Sequence, residues 1–272
     1  MDKKRIVLLS SLFVAISLLF TSCVTSGKNG IVSEKEGVSI KTGYYINECL
    51  LELGAGEGNG KSFEPSATAP SAEFETKLLS EDYSKTEIVA WCDGNTIWYY
   101  AAGYTDIEDN KIPLYFDSSA MFLGCSKLIK IDLSKFDTSD VGIMENMFSC
   151  CSSLKEIVGL NMFNTSNVVT TQLMFFGCES LETLDLSSFD LNAVKDLDGM
   201  FFGCVELSTI YVAKNTDWNL LDAAAKPSST LFSWCFSLGG GEGTYYDDSH
   251  TDVAYAHVDG GESNPGYFTV KP

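Results

Sequence analysis

Met121-Phe122-Leu123-Gly124-Cys125-Ser126-Lys127-Leu128 decides how this chain is read, because the stretch comes back. Met147-Phe148-Ser149-Cys150-Cys151-Ser152-Ser153-Leu154, Met174-Phe175-Phe176-Gly177-Cys178-Glu179-Ser180-Leu181 and Met200-Phe201-Phe202-Gly203-Cys204-Val205-Glu206-Leu207 keep Met, Phe, Cys and Leu in place at steps of 26, 27 and 26 residues. A looser copy, Leu231-Phe232-Ser233-Trp234-Cys235-Phe236-Ser237-Leu238, follows 31 residues later. A fixed period of this length is the mark of repeated structural units, and it changes what every residue within it means.

Between these stretches a second apolar pattern runs in step. Leu128, Ile131, Leu133 and Phe136 return as Leu181, Leu184, Leu186 and Phe189, and with one inserted residue as Leu154, Ile157, Leu160 and Phe163. The spacing predicts a short strand with alternate side chains inward, then a turn plugged by Phe136, Phe163 or Phe189. Val141, Val168 and Val194 supply a further inward position. One unit cannot bury so many apolar residues alone, so units are expected to stack at about the strand spacing of 4.8 Å. Met121, Met147, Met174 and Met200, and Cys125, Cys151, Cys178, Cys204 and Cys235, would then form ladders. The expected fold class is a repeat solenoid, a β-rich leucine-rich-repeat-like right-handed coil with short helical or turn segments and β caps.

Working outward, residues 85–120 read as a β-hairpin cap: Glu87 to Cys92 and Thr96 to Tyr100 alternate around the turn Asp93-Gly94-Asn95. Residues 121–212 carry the coils, and 213–272 the last coil and a C-terminal cap. Within that cap Thr216 to Lys226 reads as a short helix ended by Pro227, and Asn264-Pro265-Gly266 as a turn. Residues 43–84 form a small N-terminal region with no clear pattern, and 23–42 a flexible tether.

Residues 1–22 read as an export signal. Lys3, Lys4 and Arg5 precede an apolar run, Ile6 to Phe20, that is too short to span a bilayer. It ends in Leu19-Phe20-Thr21-Ser22-Cys23, which resembles a bacterial lipobox. That resemblance implies acylation at Cys23 and a membrane partner through the lipid, and places the chain in the bacterial cell envelope, at the outer membrane or cell surface. Thirty-seven acidic residues stand against 18 basic ones, a net charge of −19. Nucleic acid and anionic lipid surfaces are poor partners for such a chain, since both require a clustered positive face.

The repeat itself resembles that of the BspA-like leucine-rich-repeat surface proteins, MF-x-x-C-x-x-L-x-x-L-D-L-S-x-F-D-T-S-x-V. Positions 121–141 fit it closely, with Asp132, Ser134, Asp137, Thr138 and Ser139 at the expected places. Leu191-Asn192 and Leu231 depart from it. The resemblance covers residues 85–272 and implies a surface lipoprotein that attaches to extracellular-matrix proteins, other surface proteins or glycans. No binding residue carries over, because the motif describes core and turn positions.

Chemistry-bearing motifs are sparse. Ala55-Gly56-Glu57-Gly58-Asn59-Gly60-Lys61-Ser62 fits a relaxed phosphate-loop pattern, but Pro65 and Pro70 oppose the helix such a loop requires. Ser249, His250 and Asp252 are too close in sequence for a catalytic triad, and His250 and His257 are the only histidines. Asp106, Glu108, Asp109, Asp247 and Asp248 match no ordered calcium loop. Cys49 and Cys92 are left open as a pair or as thiols, and the repeat cysteines read as buried thiols. Neither a metal nor a cofactor is expected, nor an enzymatic activity. The expected function is an adhesin-like binding module whose outward residues Lys130, Asp132, Lys155, Glu182 and Asp185 form the candidate face. The alternative is a structural or assembly protein of the envelope without a host ligand.

Overall fold

The computed structural model describes residues 38–272 apart from 59, 83, 106 and 219–227. The export signal, Cys23, most of the tether, Asp106 and most of the expected 216–226 helix therefore lie outside the described residues.

One α-helix, α1 (Gly43–Glu52), is followed by eleven short strands: β1 (Lys61–Pro65), β2 (Lys77–Leu78), β3 (Ile88–Cys92), β4 (Thr96–Ala101), β5 (Ile112–Pro113), β6 (Leu128–Asp132), β7 (Phe136–Asp137), β8 (Glu156–Val158), β9 (Thr183–Asp185), β10 (Thr209–Val212) and β11 (Phe268–Val270). They form three separate sheets, with orders β2-β3-β4-β1-β6-β8, β11-β10-β9 and β5-β7. β3 pairs antiparallel with β2 and β4, whereas β1 runs parallel to both β4 and β6.

This corrects the expected fold class. The chain is not a closed right-handed solenoid but a mixed, sheet-rich fold of three small sheets and one helix among the described residues. Two features of the chain explain the difference. Lys61–Pro65 inserts as β1 between the hairpin and the first repeat strand, so four of the six strands of the largest sheet come from residues outside the repeats. The extra residue of the second unit falls at Gly159, whose φ of 86° leads into a 3-10 turn over Leu160–Met162. No ladder joins β8 to β9 among the described residues, and β9 opens a second sheet. Gly159 is required there: a Cβ would lie 2.9 Å from the backbone nitrogen of Ser134.

Side chains hold a longer order than the named strands do. The rings of Phe122, Phe148, Phe175, Phe201 and Phe232 stack in series with centroid separations of 5.5, 5.4, 5.9 and 5.7 Å and interplanar angles of 4° or less. Phe63 closes one end of this column edge-on, and Tyr267 and Phe268 close the other. Edge-on closure matches the positive ring rim to the negative face it meets. Phe163 and Phe189 stack at 6.2 Å, while Phe136 lies against Tyr99.

The buried cysteines run alongside. Cys151, Cys178, Cys204 and Cys235 each donate S–H to the carbonyl of the column phenylalanine one unit earlier, at 3.0 to 3.1 Å. Burial pushes the Cys125 and Cys204 thiols up to about 12, so they remain protonated. Before the first unit Asn47 of α1 supplies the matching contact, its Nδ2 donating to Leu123 O at 2.8 Å and approaching Cys125 Sγ at 3.8 Å. Met121, Met147, Met174 and Met200 are fully buried beside these columns.

Candidate functional site

The residues expected to form a recognition face lie on or beside strands of two sheets, and three of the five charges, Lys130, Asp132 and Asp185, are engaged. Lys130 on β6 lies 3.3 Å from Glu64 on β1. Asp132 at the end of β6 accepts from the Ser134 backbone at 2.9 Å. On β9, Asp185 pairs with Lys271 and accepts from Ser187 at 3.1 Å and 2.6 Å. Burial alone would raise its carboxyl, but Lys271 and Ser187 outweigh that and hold it below the usual range. Lys155 and Glu182 are exposed and precede β8 and β9.

A different arrangement gathers at the C-terminal end of the sequence. Residues 242–265 enclose a cleft of about 360 Å³, lined by Glu242, Tyr245, Asp247, His250, Tyr255 and Glu262 with Gly243, Thr244, Gly261 and Pro265. The size falls in the range of small-ligand clefts. It exists because of Asp259, which is only 5% exposed. Its carboxylate accepts from the backbone nitrogens of Glu242 at 2.8 Å, Thr244 at 3.1 Å and Gly261 at 3.0 Å, and from Thr244 Oγ1 at 2.7 Å. Burial by itself would raise the Asp259 carboxyl; the Thr244 hydroxyl and the three backbone donors reverse this and hold it below the usual range. One buried carboxylate thus ties the 242–244 turn to the 261–266 turn, two walls of the cleft. Gly240 allows this packing, since a Cβ there would lie 2.5 Å from Asp259 Cβ.

The remaining wall is aromatic. His250 lies on Tyr255 at 4.5 Å and 23°, and Tyr255 on the buried Tyr267 at 5.1 Å. Tyr267 donates no ring face to solvent but accepts from the Asp247 backbone at 3.1 Å, which fixes the loop carrying Asp247 and His250. Tyr245 is 82% exposed. Ser249 Oγ is committed to Asp247 at 2.6 Å, and among the described residues no hydrogen bond joins Ser249 to His250. The cleft presents carboxylates and ring faces together, and among the described residues Ser249 and His250 are not joined as the nucleophile and base that acyl transfer requires.

The other motifs resolve into structure. Gly60 leads directly into β1, not into a helix, and Lys61 Nζ donates to Gly94 O at 2.7 Å. Asp248 accepts from Tyr246 at 2.9 Å, and the carbonyls of Ile107 and Glu108 accept from Lys135. No group of three His, Cys, Asp or Glu is placed to hold a metal among the described residues. Cys49, Cys92 and the other described cysteines are free thiols. His257 contacts the carbonyl of Val258 through Nδ1 at 2.9 Å, away from the cleft lining. Sequence reasoning did not single out Glu242, Tyr245, Asp259 or Glu262; the one available signal was the glycine-rich run around them, Gly239-Gly240-Gly241-Glu242-Gly243 and Asp259-Gly260-Gly261-Glu262.

Over residues 116–233 the chain is similar to a family described as "Mycoplasma protein of unknown function, DUF285". That match spans the repeats and stops before the cleft. No curated protein and no solved structure matches the chain.

Proposed function

We propose that this chain is a lipid-anchored binding module of the bacterial surface, of the BspA-like kind, and that its recognition site is the C-terminal cleft. The observation that carries the reading is the combination held there by Asp259: two acidic side chains, Glu242 and Glu262, beside the exposed ring of Tyr245. Surface-exposed aromatics next to polar groups in a preformed cleft are the usual hot-spot chemistry of binding proteins. The stacked phenylalanine column supports a scaffold role for the repeats. Acylation at Cys23 would place the module at the membrane, where binding, and not turnover, is the work expected of it. The ligand is a protein or glycan of a matrix or of another cell surface.

The test is direct capture. Full-length chain in detergent is passed over immobilised matrix and bacterial surface proteins, alongside a Tyr245→Ala variant. Saturable binding that weakens at least about fivefold in the variant is expected; saturable binding to none, or binding indifferent to Tyr245, contradicts the reading. Protease treatment of intact cells checks the location, since a chain facing the periplasm would survive it.

A further inference from the structure

We propose that the cleft takes an arginine side chain from a basic segment of a partner protein. The inference rests on the reading of this cleft as the recognition site and names the chemistry that fits it. Residues 228–270 contain six carboxylates, Glu242, Asp247, Asp248, Asp252, Asp259 and Glu262, and not one lysine or arginine. Among the described residues neither hydrogen bond nor ion pair engages the side chains of Glu242 and Glu262. Among the described residues no cation answers their charge.

The aromatic surfaces select among cations. Tyr245 presents an open ring, and the His250–Tyr255 pair adds a second flat face in the same cleft. A guanidinium is planar and weakly hydrated, stacks on such faces, and forks toward carboxylates with two parallel N–H donors. An ammonium offers a compact, strongly hydrated charge and gains less from the rings. A divalent cation needs several oxygens on one centre, and no such group is placed among the described residues. A neutral sugar would use the rings but would leave the carboxylates unanswered. Asp259 keeps both walls in position before binding, which lowers the ordering cost on association.

The probe is a fluorescein-labelled peptide of four Gly-Arg repeats, titrated into the full-length chain by anisotropy at about 0.15 M salt. Its citrulline counterpart has the same shape without the charge, and a Gly-Lys counterpart has the charge without the plane. Saturable binding is expected, about tenfold tighter for arginine than for citrulline and about threefold tighter than for lysine. Glu242→Gln with Glu262→Gln should weaken it about tenfold, and Tyr245→Ala about two- to fivefold. Glu156→Gln with Glu182→Gln, exposed carboxylates elsewhere, should change it less than about twofold. Equal loss in that control would mean diffuse attraction to an acidic chain, and equal affinity for the citrulline or lysine peptide would mean that no guanidinium is selected; either overturns the proposal. If Tyr245→Ala abolishes capture of surface proteins while the arginine peptide does not bind, the ligand class is wrong and the recognition site stands. If capture ignores Tyr245, the site itself is wrong.

Discussion

Thr171 shows how narrow the tolerances inside the repeats are. It is fully buried, and among the described residues its Oγ1 finds no hydrogen-bond partner. The residues at the equivalent place in the units before and after, Met144 and Leu197, are apolar, so the hydroxyl faces neighbours that cannot answer it. Thr171→Val keeps the shape and removes the desolvated group; a gain of about 1 kcal/mol is expected. A chemical denaturation midpoint that does not rise would show that the hydroxyl is satisfied after all. Asp259 is the opposite case, a buried polar group with every lone pair used. Its folded carboxyl titrates below its unfolded value of about 3.9, so the stability it lends is present above that value and is lost as pH falls toward and through the lower folded one. Asp259→Asn should lower the melting temperature at pH 7 and flatten its decline between about pH 5 and pH 3. An unchanged acid profile would remove Asp259 from the account. The position before each column cysteine is likewise constrained: φ is 69° at Gly124, 62° at Cys150, 67° at Gly177, 78° at Gly203 and 65° at Trp234, which explains the recurring glycine.

Among the elements, α1 has the least expected role. Its N-cap residue Thr42 makes no side-chain cap, and the helix is held by what it docks on. Gly43 N donates to Asp117 O at 3.1 Å, and Asn47 reaches Leu123 and Cys125 of the first unit. A Cβ at Gly43 would lie 2.1 Å from Ser119 O, so Gly43→Ala cannot dock without shifting backbone. A loss of about 1 to 3 kcal/mol is expected, with amide exchange accelerated first across 43–52; unaltered protection there would contradict the docking role. Neither helix nor β1 was legible in the sequence, for physical reasons. α1 has Thr42 at its start but no acidic residue in its first turn, and Lys61–Pro65 has one apolar side chain facing the core, Phe63, and ends at a proline. The hairpin β3–β4 was legible because its alternation and Asp93-Gly94-Asn95 turn are local. There Asp93 Oδ1 accepts from Asn95 and Thr96 at 2.9 and 2.8 Å. The interruption between β8 and β9 was visible only as one inserted residue, and its consequence depends on how Gly159 meets Ser134 across units.

Across the whole molecule, side-chain columns and unit-to-unit backbone hydrogen bonds run on where the named strands stop pairing. The Met, Phe and Cys positions could be read from the period alone, because equivalent residues meet equivalent residues, and ring stacking repeats at nearly constant separation. Sheet connectivity could not, since short three-residue strands are joined or separated by single backbone bonds. The same distinction governs the site. Lys130 and Asp185 stood out as outward charges, yet partners from distant segments occupy them, Lys130 with Glu64 and Asp185 with Lys271. Glu242, Tyr245 and Glu262 carry no local signature beyond the glycines beside them; the buried Asp259 brings the loops of Glu242 and Glu262 together. The central claim is that recognition happens in this cleft and not on the repeat strands. Its most direct test is a photo-crosslinking amino acid placed at Tyr245 or at Lys155 of the full-length chain in intact cells, irradiated with the partner surface present. Adducts from position 245 and none from position 155 are the predicted result; adducts from 155 with none from 245 would contradict the account.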